Sequence, residues 1–472
     1  MNTPLRLLVV IALIAGVALT GTPPRAQAVV PPTVDETYLP APTPPAPQTA
    51  TRQQDRCSSA TFDEELSKGA HQLDGMDLDA LRHLTGGTGQ TVAVIDTGVA
   101  PHPALPRVLA GGDYVSDGDG RQDCDGHGTI VAGIVAATPQ PGGAGFAGVA
   151  PGVSLIAIRQ SSTKYGPADG GGSGYGDVES LAQAVRRAAD MGATVINISS
   201  VACALAEAGL DDRALGAALA YAVDVKDAVV VAAAGNVGPD GQCPQQNSSS
   251  NTAESTEPDW TGATVAASPG WYDDYVLTVG SVDAAGSPSH FSLAGPWVDV
   301  AAPGEAVMSL GSPRGSVVNS SGDAGAPICG TSYAAPVVSG IAALVRDRFP
   351  QLSARQVMSR IEATARHPAG GWNPFVGSGV VDPVAAVTDD APLAANDSST
   401  TARRPIELPS PAPAADSSGR ATAFTGLAAC IAVLAALMAL VVPANRLAGR
   451  RPRDFLRDRD PDRVRQQDVT RD

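Results

Sequence analysis

Lysine is almost absent from this 472-residue chain, occurring only at Lys68, Lys164 and Lys226. The formal net charge is −16. The arginines gathered near the C-terminus leave the rest of the chain more acidic still. That balance excludes nucleic acid as a partner, because phosphate binding needs a basic surface. Cysteine is scarce too, with six residues and no CxxC spacing among them. A zinc or thiol-redox centre is therefore not expected. No internal repeat is visible. The acidic stretch Asp113–Asp125 reads as a solvated loop, not a calcium site. No metal and no cofactor are expected.

Charge is also missing from two stretches near the ends. Leu7–Leu19 is apolar, follows Arg6 and leads to Ala26-Gln27-Ala28. A basic start, a short apolar core and a small-x-small site describe a cleaved signal peptide over 1–28. From Ala421 to Val442 no residue is charged, long enough for roughly 30 Å of hydrocarbon. Six arginines between Arg446 and Arg459 follow. Positive charge stays in the cytoplasm. A single membrane span over 421–443 with a cytoplasmic tail over 444–472 is expected, and Val29 to about Arg420 lies outside the cell membrane.

What remains divides by composition into an N-terminal extension (29–84), a main domain (85–387) and a Pro/Ser-rich spacer (388–420). In the main domain, strand and helix signals alternate. Gln90–Asp96, Val153–Ile158, Thr194–Ser199 and Ala228–Asn236 read as buried strands. Asp177 caps a helix carrying Val178, Leu181, Val185 and Ala188, and Gly192 stops it. Another helix spans about Leu210–Val225. Ser353 and Gln356 form a capping box for a third. Continuous apolar strands between amphipathic helices predict an α/β fold with a parallel sheet flanked by helices. Functional residues in such sheets lie at the carboxyl ends of the strands.

Four positions stand there. Asp96 ends an apolar strand, where a carboxylate is costly unless paired. His127 sits between Gly126 and Gly128 at the start of a helix. Asn236 ends Val229–Asn236 behind Gly235, and its amide can donate to a developing oxyanion. Ser332 opens the helix that carries Val337, Val338, Ile341, Leu344 and Val345. Pro336 fits only the first turn of that helix. The N–H groups of such a turn favour negative charge near the serine oxygen. A hydroxyl attacks nothing unaided, so Ser332 needs a base, a group orienting that base, and oxyanion donors.

Asp96-Thr97-Gly98, then Gly126-His127-Gly128-Thr129, then Ala234-Gly235-Asn236, then Gly330-Thr331-Ser332-x-Ala334-x-Pro336 resembles the subtilisin-like serine proteases in order and context. The resemblance covers about Gly89 to Val387. It implies that Ser332 is the nucleophile, His127 the general base and Asp96 its orienting partner, with Asn236 in the oxyanion hole. It further implies peptide and protein substrates bound as an added strand along Ser199, Ser200 and Val201 within Ser199–Ala204, with Ala233, Ala234 and Gly235 bordering the first specificity pocket. Ser200-Val201 departs from the Leu-Gly common in relatives. Activity is then expected to rise as His127 loses its proton, around pH 6–7.

A signal peptide, such a domain, a spacer and one C-terminal span together resemble the mycosins, the membrane-anchored subtilisin-like proteases of actinobacterial type VII secretion systems. That resemblance implies partners among the secretion membrane-complex subunits, either as a protease acting on exported proteins or mainly as a structural subunit. Five cysteines outside the membrane allow about fifteen ways to form two bridges. Counting does not choose among them. The family likeness implies Cys57–Cys124 and Cys203–Cys243, with Cys329 left as a thiol. Ser161–Asp177 and Val237–Trp260 read as insertions beside the cleft.

Overall fold

The computed structural model describes residues 29–140, 146–172, 174–239, 241–247, 258–311, 316–322 and 325–388. The segments 1–28, 421–443 and 444–472, and all of the spacer beyond Thr388, lie outside the described residues. Among the described residues, no helix is long and apolar enough to cross a membrane.

The four runs read as strands form Thr91–Asp96, Ser154–Arg159, Val195–Ile198 and Val229–Ala233. With three others they make a seven-stranded sheet. Its order is Val300–Pro303, Leu277–Val282, Val229–Ala233, Val195–Ile198, Thr91–Asp96, Ser154–Arg159, Val108–Asp113. Every pairing is parallel. Val92, Ala93, Val94 and Ile95 are all 0 % exposed. Successive side chains point to opposite faces, so both faces of the sheet are covered. The chain builds one wing from Thr91–Asp96 towards Val108–Asp113 and the other from Val195–Ile198 outwards. The reversal opens a crevice at the carboxyl ends beside Asp96.

The Thr331–Arg348 helix packs across the strands and against the His127–Ala136 helix. Its Val337, Val338, Ile341, Leu344 and Val345 are fully buried, each worth roughly 1.5–3 kcal/mol of transfer free energy. The helix starts at Thr331, so Pro336 is its sixth residue and lies in the second turn. The expectation of a first-turn proline is thus corrected. An interior proline is tolerated here because the Ser332 carbonyl, which would have taken its N–H, receives the Ser199 hydroxyl at 2.8 Å instead. The Val178–Asp190 helix has the Asp177 cap, completed as a capping box by Ser180. Ser353 and Gln356 cap Ala354–Ala363 in the same way.

The extension is woven into this domain. Thr51–Gln53 pairs antiparallel with Tyr165–Pro167, and Ala60–Thr61 with Ser320–Ser321. The Pro45 ring lies so close to Gly112 that a Cβ there would stand 2.2 Å from it. Val29 is buried and its N–H donates to the Ala263 carbonyl at 3.4 Å.

Candidate active site

Asp96 is the last residue of its strand and 2 % exposed. Its Oδ1 accepts the Thr97 N–H at 2.7 Å and His127 Nδ1 at 2.7 Å. With Nδ1–H donating to the carboxylate, Nε2 is left as acceptor. It lies 3.0 Å from Ser332 Oγ. Three side chains separated by 31 and 205 positions therefore form one hydrogen-bonded line. Ser332 is 9 % exposed and the imidazole 28 %, so the line opens to solvent at the histidine. The Tyr333 ring covers one side of the imidazole, with centroids 4.9 Å apart.

His127 is placed by a neighbour that pattern reading missed. Asp123 accepts from Thr97 Oγ1 (2.8 Å), the Gly126 N–H (2.7 Å), and the Thr129 N–H (2.8 Å) and Oγ1 (2.6 Å). It ties the end of the Asp96 strand to the first turn of the histidine helix. Asp123 lies three residues before the Gly126 N-cap, inside an acidic run, so no local signal marks it. Asp113 is likewise buried, holding Ser116 and standing 3.4 Å from Arg159. Asp125 accepts the Thr163 N–H at 2.7 Å. Asp113, Asp123 and Asp125 thus anchor a hydrogen-bonded frame, while Asp117, Arg121 and Gln122 are exposed, so the solvated loop expected holds for the middle of the Asp113–Asp125 stretch and not for these three acids. The carboxylates of Asp113, Asp123 and Asp125 are taken up by internal donors. Gly128 must lack a side chain, since a Cβ would stand 2.0 Å from the Gly98 carbonyl oxygen.

The electrostatics follow from this crowding. Burial disfavours the charged imidazole of His127, but Asp96, helped by Asp123 and Asp125, outweighs it and moves the pKa up. Burial pushes Asp123 up to about 6, against the pull of its Thr129 and Thr97 hydrogen bonds. Burial raises the Tyr333 hydroxyl.

Asn236 Oδ1 accepts from the Thr331 N–H and Oγ1, both at 3.0 Å. With the oxygen so engaged, the Nδ2 donors are the end directed elsewhere. A Cβ on Gly330 (φ +153°) would stand 3.1 Å from Ser332 Oγ and 3.6 Å from Asn236 Nδ2. The bare glycine thus leaves open the space between hydroxyl and amide, where an oxyanion needs room.

These groups face a cleft of about 1010 Å³. Ser199, Ser200, Val201, Ala233 and Gly235 line it, together with Asp96, His127, Asn236 and Ser332. Ala234 does not: it is fully buried, and its N–H donates to the Val279 carbonyl. Beyond Ala202, the Ser199–Ala204 segment leaves the cleft wall, because Ala202–Leu205 pairs antiparallel with Val265–Ser268. The cleft lining also includes Cys57 to Ala60 of the extension and Ser161 to Lys164.

Disulfides join Cys57 to Cys124 and Cys203 to Cys243. The first fastens the extension beside Asp123. The second backs Gly235, where a Cβ would stand 2.8 Å from Cys243 Sγ. Cys329 keeps its thiol and is exposed. Among the described residues, no group of three His, Cys, Asp or Glu is placed to hold a metal ion.

Residues 87–389 match the family model described as Subtilase family. The chain is 56 % identical over 451 residues to Mycosin-4 of Mycobacterium tuberculosis, covering 94 % of this chain and 96 % of that protein. It is 44 % identical to Mycosin-3 of the same organism, over 90 % of this chain and 94 % of that one. Among solved structures, the MycP3 protease from the type VII (ESX-3) secretion system superposes with a TM-score of 0.71 at 45 % identity, covering 77 % of this chain and all of that one (100 %). A chain of an intact ESX-5 inner membrane complex superposes with a TM-score of 0.71 at 40 % identity, covering 88 % and 100 %.

Proposed function

The chain belongs to the subtilase family and, within it, to the mycosins, and on that premise we propose that Asp96, His127 and Ser332 hydrolyse peptide bonds of exported proteins. The observation that carries this reading is the line Asp96–His127–Ser332, with links of 2.7 Å and 3.0 Å. Ser332 Oγ attacks the scissile carbonyl carbon while His127 Nε2 takes its proton. Asp96 holds Nδ1–H and stabilises the imidazolium that forms. The carbonyl oxygen, now negative, sits in the space left by Gly330 and accepts from Asn236 Nδ2 and the Ser332 N–H. His127 returns the proton to the leaving amine, and the acyl group stays on Ser332. Water, deprotonated by the same nitrogen, then releases the acid and restores the hydroxyl. The substrate chain extends along Ser199, Ser200 and Val201 by backbone hydrogen bonds, with Ala233 and Gly235 at the first specificity pocket.

The mycosin is a subtilisin-like serine protease of type VII secretion. We place it on the membrane through the apolar span 421–443, after removal of 1–28, with the extension 29–84 and the domain 85–387 outside, the spacer 388–420 between domain and membrane, and 444–472 in the cytoplasm. A second reading gives it a structural role in the secretion membrane complex, independent of proteolysis. It is favoured by the likeness to a chain of the intact ESX-5 inner membrane complex. Ser332→Ala and a full deletion, compared in the host, separate the two. If both hold, deletion abolishes export, while Ser332→Ala leaves export intact and exported proteins uncut. Identical cleavage patterns in the wild type and Ser332→Ala strains would overturn the proteolytic assignment.

A further inference from the structure

In a regular helix the N–H of residue 336 donates to the carbonyl of residue 332. Proline removes that donor, and its ring crowds the same carbonyl. Here the deprived carbonyl is that of Ser332, the residue whose hydroxyl lies 3.0 Å from His127 Nε2. The substitute donor is Ser199 Oγ, at 2.8 Å. Ser199 Oγ accepts in turn from Asn197 Nδ2 at 2.9 Å. Asn197 Oδ1 accepts from Ser339 Oγ at 2.8 Å.

All four residues are buried, with Asn197 and Ser339 at 0 % exposure. The chain of bonds begins and ends on one helix. Ser339 lies seven positions after Ser332, two turns along the same face. Between them the bonds pass through the end of the Val195–Ile198 strand and the residue that follows it. Each hydroxyl hydrogen has one destination: Ser339 gives its own to Asn197, and Ser199 gives its own to Ser332. The arrangement grips the peptide plane behind the serine from one direction only.

We infer that Ser199, oriented by Asn197 and Ser339, is a positioning residue for Ser332, standing in for the helical hydrogen bond that Pro336 deletes. This rests on Ser332 being the nucleophile. The lost helical bond frees the carbonyl to be set by the strand that also carries the substrate wall. The strand end, and not the helix alone, then fixes the distance from Oγ to the imidazole. Removing the Ser199 hydroxyl leaves a buried carbonyl without a donor, and the peptide plane relieves this by tilting. A tilt there moves Oγ relative to Nε2.

The test compares the rate of Ser332 labelling by a fluorophosphonate, and kcat and KM on a peptide, in the parent, Ser199→Ala, Ser199→Thr, Pro336→Ala and the double variant. Ser199→Ala should lower labelling and kcat by about 10- to 100-fold, moving KM less. The acid limb of the pH profile should stay where it is, because the Asp96–His127 pair is untouched. Ser199→Thr, which keeps the hydroxyl, should restore most of the loss. Pro336→Ala introduces an N–H to the same carbonyl, so adding Ser199→Ala to that background should cost much less. An equal penalty in both backgrounds, or a Ser199→Ala protein labelled at the parental rate, would overturn the inference. If Ser199→Ala fails to fold, the double variant against Pro336→Ala decides: a full penalty there refutes it. A parent that takes no label at Ser332 would instead sink the reading of the nucleophile itself.

Discussion

Gln72 Nε2 donates to the carbonyl of Tyr333 at 2.7 Å, across 261 positions of the chain. The same amide donates to the Pro303 carbonyl at 2.7 Å, and the Gln72 side chain is buried. A residue of the N-terminal extension thus supports the residue beside Ser332. Gln72→Ala should lower stability in urea unfolding by about 1–3 kcal/mol, the penalty for leaving buried carbonyls unpaired, and should lower kcat with it. A Gln72→Ala protein as stable and as active as the parent would refute this support.

The acid limb of kcat/KM should lie above the ordinary imidazole value of about 6.5, because Asp96, Asp123 and Asp125 hold the His127 pKa up despite burial. The base works only when neutral, so activity rises through that raised value. This moves the range expected from a typical imidazole upward. Asp125→Asn removes one of the three charges and should shift the limb to lower pH. A limb that stays in place or moves to higher pH would contradict the part assigned to Asp125 in holding the imidazole pKa up.

Gly330→Ala tests the open space beside Ser332. The added Cβ would stand 3.1 Å from Ser332 Oγ and 3.6 Å from Asn236 Nδ2, at a backbone φ of +153°. The variant should lose about 10²–10³ in kcat, the range for a lost oxyanion donor, with native circular dichroism. Wild-type kcat would show that no charge develops there.

The parallel sheet was legible because its strands are apolar on both faces, a pattern that survives without any partner in view. Asp96, His127 and Ser332 were legible because each carries local glycines and sits at an element boundary. Four features were not. Asp123 looked like one acid among several, and only the fold supplies its four donors. Pro336 looked like a first-turn residue, because the rule behind that expectation assumes that a deprived carbonyl has no other donor; Ser199 provides one from 133 positions away. Gln72 carries no local signal at all. Ala234 was grouped with its cleft-lining neighbours by sequence adjacency, but alternation along an extended chain turns it inward.

The carboxyls of Glu362 and Asp299 should each cost stability as pH rises from acid to neutral. Burial, then repulsion from Asp273, holds Glu362 up to about 7. Burial, then repulsion from Glu362 and Asp273, holds Asp299 well above the carboxylate range. A carboxyl whose folded pKa exceeds its unfolded value costs nothing while both states are protonated. It destabilises increasingly from the unfolded value of about 4 up through the folded one. Glu362→Gln should therefore raise Tm at about pH 8 and leave it unchanged near pH 4. A Tm gain of equal size at both pH values would rule out this origin.

Catalysis as described needs one oxygen atom made nucleophilic by one ring nitrogen. Mass-spectrometric mapping of fluorophosphonate adducts on intact protein, beside a His127→Ala variant, tests that dependence most directly. A single adduct at position 332 that vanishes when the imidazole is removed is the predicted result. An unmodified parent, or an adduct formed equally well without the imidazole, would contradict it.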